Sequence, residues 1–284
     1  MKNLLPRATA FAVLVLLATA CSKNEDATPT VDTSNDNLLM GNPSGAVSST
    51  SSPTNYLLVK PQYAVGYNRD QGKPIWVSWH LGTTDMGSTP RQDDFRADAS
   101  LPSGWYQVKN SDYSGYGFDR GHNCPSADRT ATVADNSATF LMSNMMPQAP
   151  NNNQQTWGNL EDYCRKLVGQ GNELYIICGS YGRGGTGSAG YQTTIAGGKV
   201  TVPANCWKVV VVLPVGNNDV ARVGTSTRII ALNTPNDNSL NSAWGGYRTS
   251  VDAIEAASGL DLLSTLPLSV QNAVEARTDT GPTN

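Results

Sequence analysis

Residues 118–130 read FDRGHNCPSADRT, and this stretch, together with the helix that follows it, decides the fold. Its core, Asp119-Arg120-Gly121-His122, places an acid, a guanidinium and an imidazole within four residues. The planar guanidinium matches phosphate oxygens, and histidine accepts a proton near neutral pH. The glycine lets the backbone come close to a bulky anion. A lone histidine is more often structural than catalytic, so the tetrapeptide needs a second signal.

A segment downstream supplies that signal. Residues 153–168, which end before Gly169, predict a helix. At 100° per residue, five apolar side chains form one stripe that faces the core: Trp157, Leu160, Cys164, Leu167 and Val168. Asn153, Glu161 and Arg165 lie along the same side or its margin, so three polar groups project from a partly buried face. An ordinary Glu161–Arg165 ion pair would explain two of these residues but not Asn153.

Six short runs rich in β-branched and aromatic residues predict strands. They cover 56–65, 74–81, 173–179, 198–202, 207–213 and 227–233. The stretch 209–213 is apolar on both faces, which is typical of a central strand. A second helix is predicted over 251–257, between the capping residue Ser250 and Gly259. These elements predict one α+β domain built on a mixed sheet.

Composition excludes several classes of protein. The 284 residues are 39% apolar and 15% charged, which is enough for a large core and excludes a wholly disordered or fibrous chain. A formal charge of -3 argues against a basic nucleic-acid coat, so a polyanion would be met by a local positive patch. Two histidines and the absence of a C-x-x-C pair leave too few ligands for a Cys/His zinc site. Any metal is therefore expected on oxygen ligands.

The first 20 residues have the layout of a secretory signal peptide. Lys2 and Arg7 precede the apolar run 11–17, and small residues stand directly before Cys21. We expect a lipid on Cys21, which would make the protein an outer-membrane lipoprotein facing the periplasm or the cell surface. Ordinary signal-peptidase cleavage and free secretion are the alternative.

The domain boundaries follow from composition. Residues 21–54 are rich in Ser, Thr, Asn, Asp and Pro and contain no aromatic residue, which predicts a solvated flexible tether, lipid-anchored or free. The folded domain is expected over 55–275 and a flexible tail over 276–284.

The remaining cysteines are Cys124, Cys164, Cys178 and Cys206. Export would place them in an oxidising compartment that permits disulfides. Cys178 and Cys206 lie at the edges of strand-like runs, so we expect this pair, with the other two paired or free. Buried reduced thiols are the alternative.

Other chemistries fit the sequence less well. A G-x-S-x-G elbow is absent, which argues against Ser-His-Asp hydrolysis. The glycine-rich stretch 179–185 lacks the Lys-Ser/Thr of a P-loop and is interpreted as a turn. His122 with Cys124 would suggest a thiol nucleophile, but Pro125 follows at once and a structural cysteine is favoured.

The sequence resembles the DNA/RNA non-specific endonucleases with a ββα-metal core, and most closely the NucA-type sugar-nonspecific nucleases of cyanobacteria. The matching residues are 118–130, 143–148 (SNMMPQ), Asn153 and 157–165 (WGNLEDYCR), in the order and spacing of that family. The resemblance extends over about 56–266. It implies a mixed, mainly antiparallel central sheet flanked by helices, with a ββα-metal motif at the active site.

The resemblance also implies roles for the base and the metal ligands. His122 would be the general base on the attacking water. Asn153 would be the direct protein ligand of one Mg²⁺ or Mn²⁺, and Glu161 would hold a water bound to that ion. The substrate would be DNA or RNA, single- or double-stranded, and the product would carry a 5′-phosphate.

The remaining implied roles concern the phosphate. Arg120, Arg165 and Arg91 would contact the scissile phosphate or stabilise its charge, and Asp119 would orient the loop. Some members of the family have dedicated protein inhibitors, so an inhibitor is an expected partner; the oligomeric state stays open. The competing class is a non-catalytic surface lipoprotein that binds nucleic acid on the same arginines and needs neither His122 nor Asn153.

Overall fold

The structure is a computed structural model that describes Met1 and residues 36–284. The signal peptide predicted over 1–20 and the lipid predicted on Cys21 lie outside the described residues. Within the described residues, no helix combines the length and the apolar character needed to span a bilayer.

The described part of the chain is built around one large sheet and three small strand pairs. The strands are β1 Tyr56–Val59, β2 Ala64–Asn68, β3 Lys73–Leu81, β4 Asp119–His122, β5 Met145–Gln148, β6 Asn172–Tyr181, β7 Gly185–Gly187, β8 Gly190–Gln192, β9 Thr194–Ile195, β10 Val200–Thr201, β11 Asn205–Pro214, β12 Arg228–Pro235 and β13 Arg248–Thr249. Seven of them form one sheet in the order β1-β2-β3-β6-β11-β12-β13. The others pair as β4–β5, β7–β8 and β9–β10.

The helices are short. They are α1 Val133–Ala138, α2 Gly158–Gly169, α3 Asp219–Arg222, α4 Val251–Ser258 and α5 Leu268–Glu275. A π-helical turn, Asn152–Trp157, runs directly into α2, so the helix predicted from residue 153 is confirmed with a wider first turn. The α4 helix is also confirmed, because Ser250 caps the Ala253 amide and Gly259 ends the helix at φ 71°.

The predicted fold class is confirmed. Every ladder between neighbouring strands of the large sheet is antiparallel, and parallel pairing is limited to isolated bridges such as Val47–Tyr56. Two predicted strands differ from the structure. The run 56–65 is two strands, because the chain turns at Pro61 and the Lys60 amide bonds to the Tyr63 carbonyl. The run 198–202 contributes only Val200–Thr201, which lies outside the large sheet.

The core lies on both faces of β6 and β11. Alternate side chains of these strands enter one of two apolar clusters. The α2 face receives Leu174, Ile176, Cys178, Cys206 and Val210, together with the predicted stripe of α2. The opposite face receives Tyr175, Ile177, Trp207, Val209 and Val211, together with α4 and α5. The prediction that 209–213 forms a central, doubly covered strand is confirmed.

The prediction of a solvated tether is wrong for the described residues before 55. Met40 and Ala46 are buried in the cluster that contains α4 and α5. Polar side chains of this segment are used in hydrogen bonds: the Trp76 indole donates to Oγ of Ser44 at 2.7 Å, and Ser78 donates to the Asn37 carbonyl at 2.6 Å. The polar composition was typical of a tether, but its few apolar side chains pack on the sheet.

The C-terminal residues 276–284, predicted as a flexible tail, are also held by the domain. The Asp279 carboxylate pairs with Arg228 at 2.9 Å and with Arg248 at 3.1 Å. Arg228 donates in addition to the Pro282 carbonyl. The Asp279 carboxylate and the Pro282 carbonyl therefore anchor the tail to β12 and β13.

The predicted Cys178–Cys206 disulfide is wrong. Cys124, Cys164, Cys178 and Cys206 are all buried free thiols, which is the alternative stated from the sequence. The two cysteines lie on neighbouring strands, but Cys206 is opposite Ser180 and Cys178 is opposite Lys208, so they are offset by two residues.

The packing of residues 37–54 predicts that two substitutions by alanine lower the free energy of unfolding by unequal amounts. Met40→Ala should lower the free energy of unfolding by about 2–4 kcal/mol, because Met40 is 1% exposed and a cavity would remain. Val47→Ala, at a site that is 47% exposed, should cost less than about 0.5 kcal/mol. Urea unfolding of both variants measures the difference, and equal stabilities would mean that the segment does not pack as described.

Candidate active site

The predicted motif forms the β4–β5 ladder. Its register pairs Asp119 with Gln148 and His122 with Met145. A Cβ on Gly121 would lie 2.3 Å from Oε1 of Gln148 and 2.6 Å from its Cβ. The glycine therefore makes room for a glutamine side chain, whereas the sequence had suggested room for an anion.

His122 is buried against two aromatic rings that also contact each other, with their centroids 4.9 Å apart. Its ring centroid lies 4.9 Å from that of Phe140 and 5.5 Å from that of Phe95. Burial, together with the positive charges of Arg91 and Arg120, lowers the pKa of His122 to about 3, and a hydrogen bond with the Arg120 backbone opposes this shift. The imidazole is therefore uncharged at neutral pH and keeps a lone pair that can accept a proton.

Arg91 and Arg120 lie over the two rings that contact this histidine. The Arg91 guanidinium is 4.8 Å from the Phe140 centroid, and the Arg120 guanidinium is 4.6 Å from the Phe95 centroid. Cation–π contact holds each planar group against an apolar wall. Two positive charges are thus held near the uncharged imidazole.

The π-helical turn positions Asn153 against β4. Nδ2 of Asn153 and Nε2 of Gln154 each donate to Oδ2 of Asp119 at 2.8 Å. A carboxylate can only accept, so this contact fixes which end of the Asn153 amide is nitrogen. Oδ1 of Asn153 is left for another partner, and Asp119 acts on this side chain as an orienting group.

Glu161 is paired with a lysine from the middle of the sheet. Nζ of Lys208 lies 3.1 Å from Oε1 of Glu161, and the lysine is 1% exposed. The same ammonium lies 4.2 Å from the ring centroid of Trp157. Burial raises the pKa of Glu161, and Lys208 opposes that rise.

One short turn holds two of the predicted arginines. The 3₁₀ turn Ser126–Asp128 presents a hydroxyl and a carboxylate at its two ends. Nη1 of Arg91 donates to the Ser126 hydroxyl at 2.9 Å, and Nη1 of Arg165 donates to the Asp128 carboxylate at 2.8 Å. The two ends of the turn therefore each hold one guanidinium group.

Glu161 and Arg165, which both lie in the described part of the chain, do not form an ion pair with each other, although the sequence offered that pair as the structural explanation of the polar residues on this helix. Glu161 bonds to Lys208, and Arg165 bonds to Asp128 and Asp162. Glu161 and Arg165 are therefore held by different partners.

Three side chains of the site were not predicted: Lys208, Asp128 and Gln148. Lys208 had a signal in the sequence, because it is the one charged residue in the apolar run 207–213. Asp128 and Gln148 lie inside the matched motifs but carry no chemical signal of their own. Their roles depend on tertiary contacts.

Nine buried side-chain polar atoms of the described residues lack a hydrogen-bond partner, and four of the nine lie on the β4–β5 ladder. These four are Nε of Arg120, Nε2 of His122, and both amide atoms of Gln148. Buried polar groups are nearly always satisfied, so these atoms indicate a site built for further polar partners. An oriented amide oxygen on Asn153 and a carboxylate on Glu161 are ligands of the kind that Mg²⁺ prefers. The residues present therefore fit a hydrated divalent cation beside an anionic group.

Comparison with known proteins finds similarity in sequence and in fold. The family model for DNA/RNA non-specific endonucleases matches residues 40–269. A nuclease of Nostoc sp. is 48% identical over 272 residues, which cover 94% of this chain and 96% of that protein.

More distant relatives share the fold or part of the sequence. Human mitochondrial endonuclease G is 32% identical over 208 residues, which cover 71% of this chain and 67% of that protein. The crystal structure of an EndoG/EndoGI complex contains a chain that superposes with a TM-score of 0.65 at 22% identity, covering 81% of this chain and 91% of that chain. This last likeness concerns the fold.

The buried Lys208–Glu161 pair predicts a large cost when one partner is removed. Lys208→Met should lower the free energy of unfolding by about 3 kcal/mol or more, because it leaves the Glu161 carboxylate unpaired. Adding Glu161→Gln should recover at least about 1 kcal/mol of that loss. Urea unfolding of both variants tests the pair, and a Lys208→Met protein as stable as the wild type would contradict it.

Proposed function

Because the chain belongs to the DNA/RNA non-specific endonuclease family, we propose that it hydrolyses phosphodiester bonds of DNA and RNA at the site on β4, β5 and the π-helical turn. The observation that carries this proposal is the group of unpartnered polar atoms on the strands that hold His122. They lie beside two fixed guanidinium groups, which suits a phosphate.

His122 is the proposed general base. Its ring is uncharged at neutral pH, so a lone pair is available for a proton of the attacking water. A general base works best when its pKa is near the working pH, and the negative charge of a bound phosphate would raise the pKa of His122 toward that range. The water oxygen forms a bond to phosphorus as the bond to the 3′ oxygen breaks, and the leaving oxygen takes up a proton. The product then carries a 5′-phosphate.

Asn153 and Glu161 are the proposed holders of Mg²⁺ or Mn²⁺, Asn153 directly and Glu161 through water. Asp119 supports this role by turning the Asn153 carbonyl oxygen away from itself. Lys208 supports it by holding the Glu161 carboxylate in a buried position. When bound, the ion supplies positive charge for the charge that grows on the phosphate and the leaving oxygen.

Arg91, Arg120 and Arg165 are the proposed phosphate contacts. The first two lie on the rings beside His122, and the third is fixed by two carboxylates before substrate arrives. Groups that read the backbone phosphate carry little sequence information, which agrees with action on both DNA and RNA. A protein inhibitor is a proposed partner, since the similar EndoG chain was solved in complex with EndoGI in work on EndoG inhibition.

One experiment distinguishes the nuclease from the competing proposal, which is a nucleic-acid binder without catalytic activity. Plasmid is incubated with purified protein and Mg²⁺, with and without EDTA. Degradation that EDTA stops supports the nuclease, and a shifted but intact band in both lanes would overturn it.

Removal of the base is expected to abolish most cleavage. His122→Ala should lower kcat by about 10²–10⁴-fold, since general-base catalysis contributes in that range. The matched control is His80→Ala, which removes the other histidine of the chain and should retain cleavage. Single-turnover digestion of plasmid measures both, and near-normal cleavage by a folded His122→Ala protein would refute the assignment.

Removal of the direct ligand is expected to raise the metal requirement. Asn153→Ala should increase the Mg²⁺ concentration for half-maximal activity by about 100-fold or more. Gln154→Ala, which removes the neighbouring donor to Asp119, should change it far less. Titration of activity with Mg²⁺ separates them, and equal requirements in the two variants would count against Asn153.

Binding is expected to weaken with salt because phosphate contacts release counterions. Three arginine contacts give a log–log slope near -2.7, or about 40-fold weaker binding between about 50 and 200 mM salt. The Kd of the His122→Ala variant for a DNA duplex measures this without cleavage. A Kd that does not change over that range would exclude the proposed contacts.

A further inference from the structure

A second group of acidic side chains lies far along the chain from the nuclease site, between α4 and α5. Asp252 and Glu255 project from the same side of α4, and Glu275 is the last residue of α5. One carboxylate oxygen from each of the three lies within 4.8 Å of the other two. Three acids from two helices thus converge on one point.

Glu275 is the unusual member of this group. It is 6% exposed, and its Oε1 atom is buried with no hydrogen-bond partner. Val274, the preceding residue of α5, is buried in the apolar cluster that also contains Ile254 of α4. A carboxylate oxygen in such a position costs free energy unless a ligand satisfies it.

No protein cation compensates these acids. Within the described residues, none of the ion pairs involves Asp252, Glu255, Glu275 or the nearby Asp261. The Glu255 carboxylate does accept one hydrogen bond, from the Leu262 amide at 2.5 Å. Burial and the repulsion of Glu255, Asp252 and Asp261 raise the pKa of Glu275 to about 8.

We infer that Asp252, Glu255 and Glu275 form a calcium site that joins α4 to α5. Ca²⁺ takes oxygen ligands at about 2.3–2.6 Å in a flexible shell whose opposite ligands are about 5 Å apart, so three carboxylate oxygens that all lie within 4.8 Å of one another can share one ion. Mg²⁺ demands near-ideal octahedral geometry and usually keeps several of its waters, so a site of three side-chain carboxylates suits Ca²⁺ better. The unpartnered oxygen of Glu275 would be one ligand, and water would complete the shell on the exposed side of Asp252.

The ion would stabilise the C-terminal part of the domain. α4 and α5 cover the same face of the sheet, and the chain continues from α5 to the Asp279 anchor. A ligand that binds only the folded state raises its stability in proportion to the logarithm of concentration. Calcium is therefore expected to act on stability, with no part in phosphodiester cleavage.

Thermal unfolding of the full chain in EDTA and in increasing CaCl₂ tests this site. With a Kd of about 10⁻⁴ M, about 10 mM Ca²⁺ should raise the Tm by about 5 °C. Glu275→Gln should remove the response, and Asp252→Asn, at an exposed position, should shift it to about tenfold higher calcium. Asp70→Asn, which removes an exposed acid elsewhere, should leave it unchanged.

Two further variants test two alternative explanations. One is that calcium acts at the nuclease site, and the other is that a proton shared by the three acids, and no cation, neutralises them. Asn153→Ala should keep the full calcium response, because it alters only the nuclease site. Glu275→Gln imitates a protonated carboxyl, so under EDTA its Tm should equal or exceed that of the wild type. The proposal is overturned if the wild type shows no calcium response, if Glu275→Gln retains it, if Asn153→Ala loses it, or if Mg²⁺ gives a shift of equal size.

Discussion

The burial of β6 and β11 on both faces is the constraint on which the rest of the structure depends. Strands that are apolar on both sides must be covered twice, so α2 lies on one face and α4 with α5 on the other. Lys208 is the one charged side chain on β11, and it emerges on the α2 face. A buried ammonium needs a partner, and Glu161 on α2 is within reach. The core therefore determines where the carboxylate of the site stands.

The second determinant of the site is the contact between Asp119 and Asn153. It joins the β4–β5 ladder to the π-helical turn and fixes the direction of the amide. A π-helical turn widens the helix by one residue per turn, and such turns are common at functional sites. Asn153 and Gln154, which are adjacent residues of this turn, both donate to that carboxylate.

Much of this arrangement could be predicted from local patterns. The doubly apolar run at 209–213 predicted the central strand, and the apolar stripe of α2 predicted the helix that carries Glu161 and Arg165. The partners of those side chains could not be predicted, because the pairing of Glu161 with Lys208 depends on the register of a strand 47 residues away. The Met40 segment was missed for a similar reason: its polar composition is typical of a linker, and its burial comes from tertiary packing.

The four buried thiols bear on how the folded domain responds to oxidants and reductants. Burial raises the pKa of Cys164 and of Cys206 to about 12, so at pH 7 these two thiols are almost entirely protonated. Thiolate is the form that exchanges with glutathione or reacts with alkylating agents. The native domain has no cross-link among these cysteines that a reductant could break and little nucleophilic sulfur that an oxidant could attack. Reducing and oxidising conditions are therefore expected to leave the native fold of the described residues unchanged.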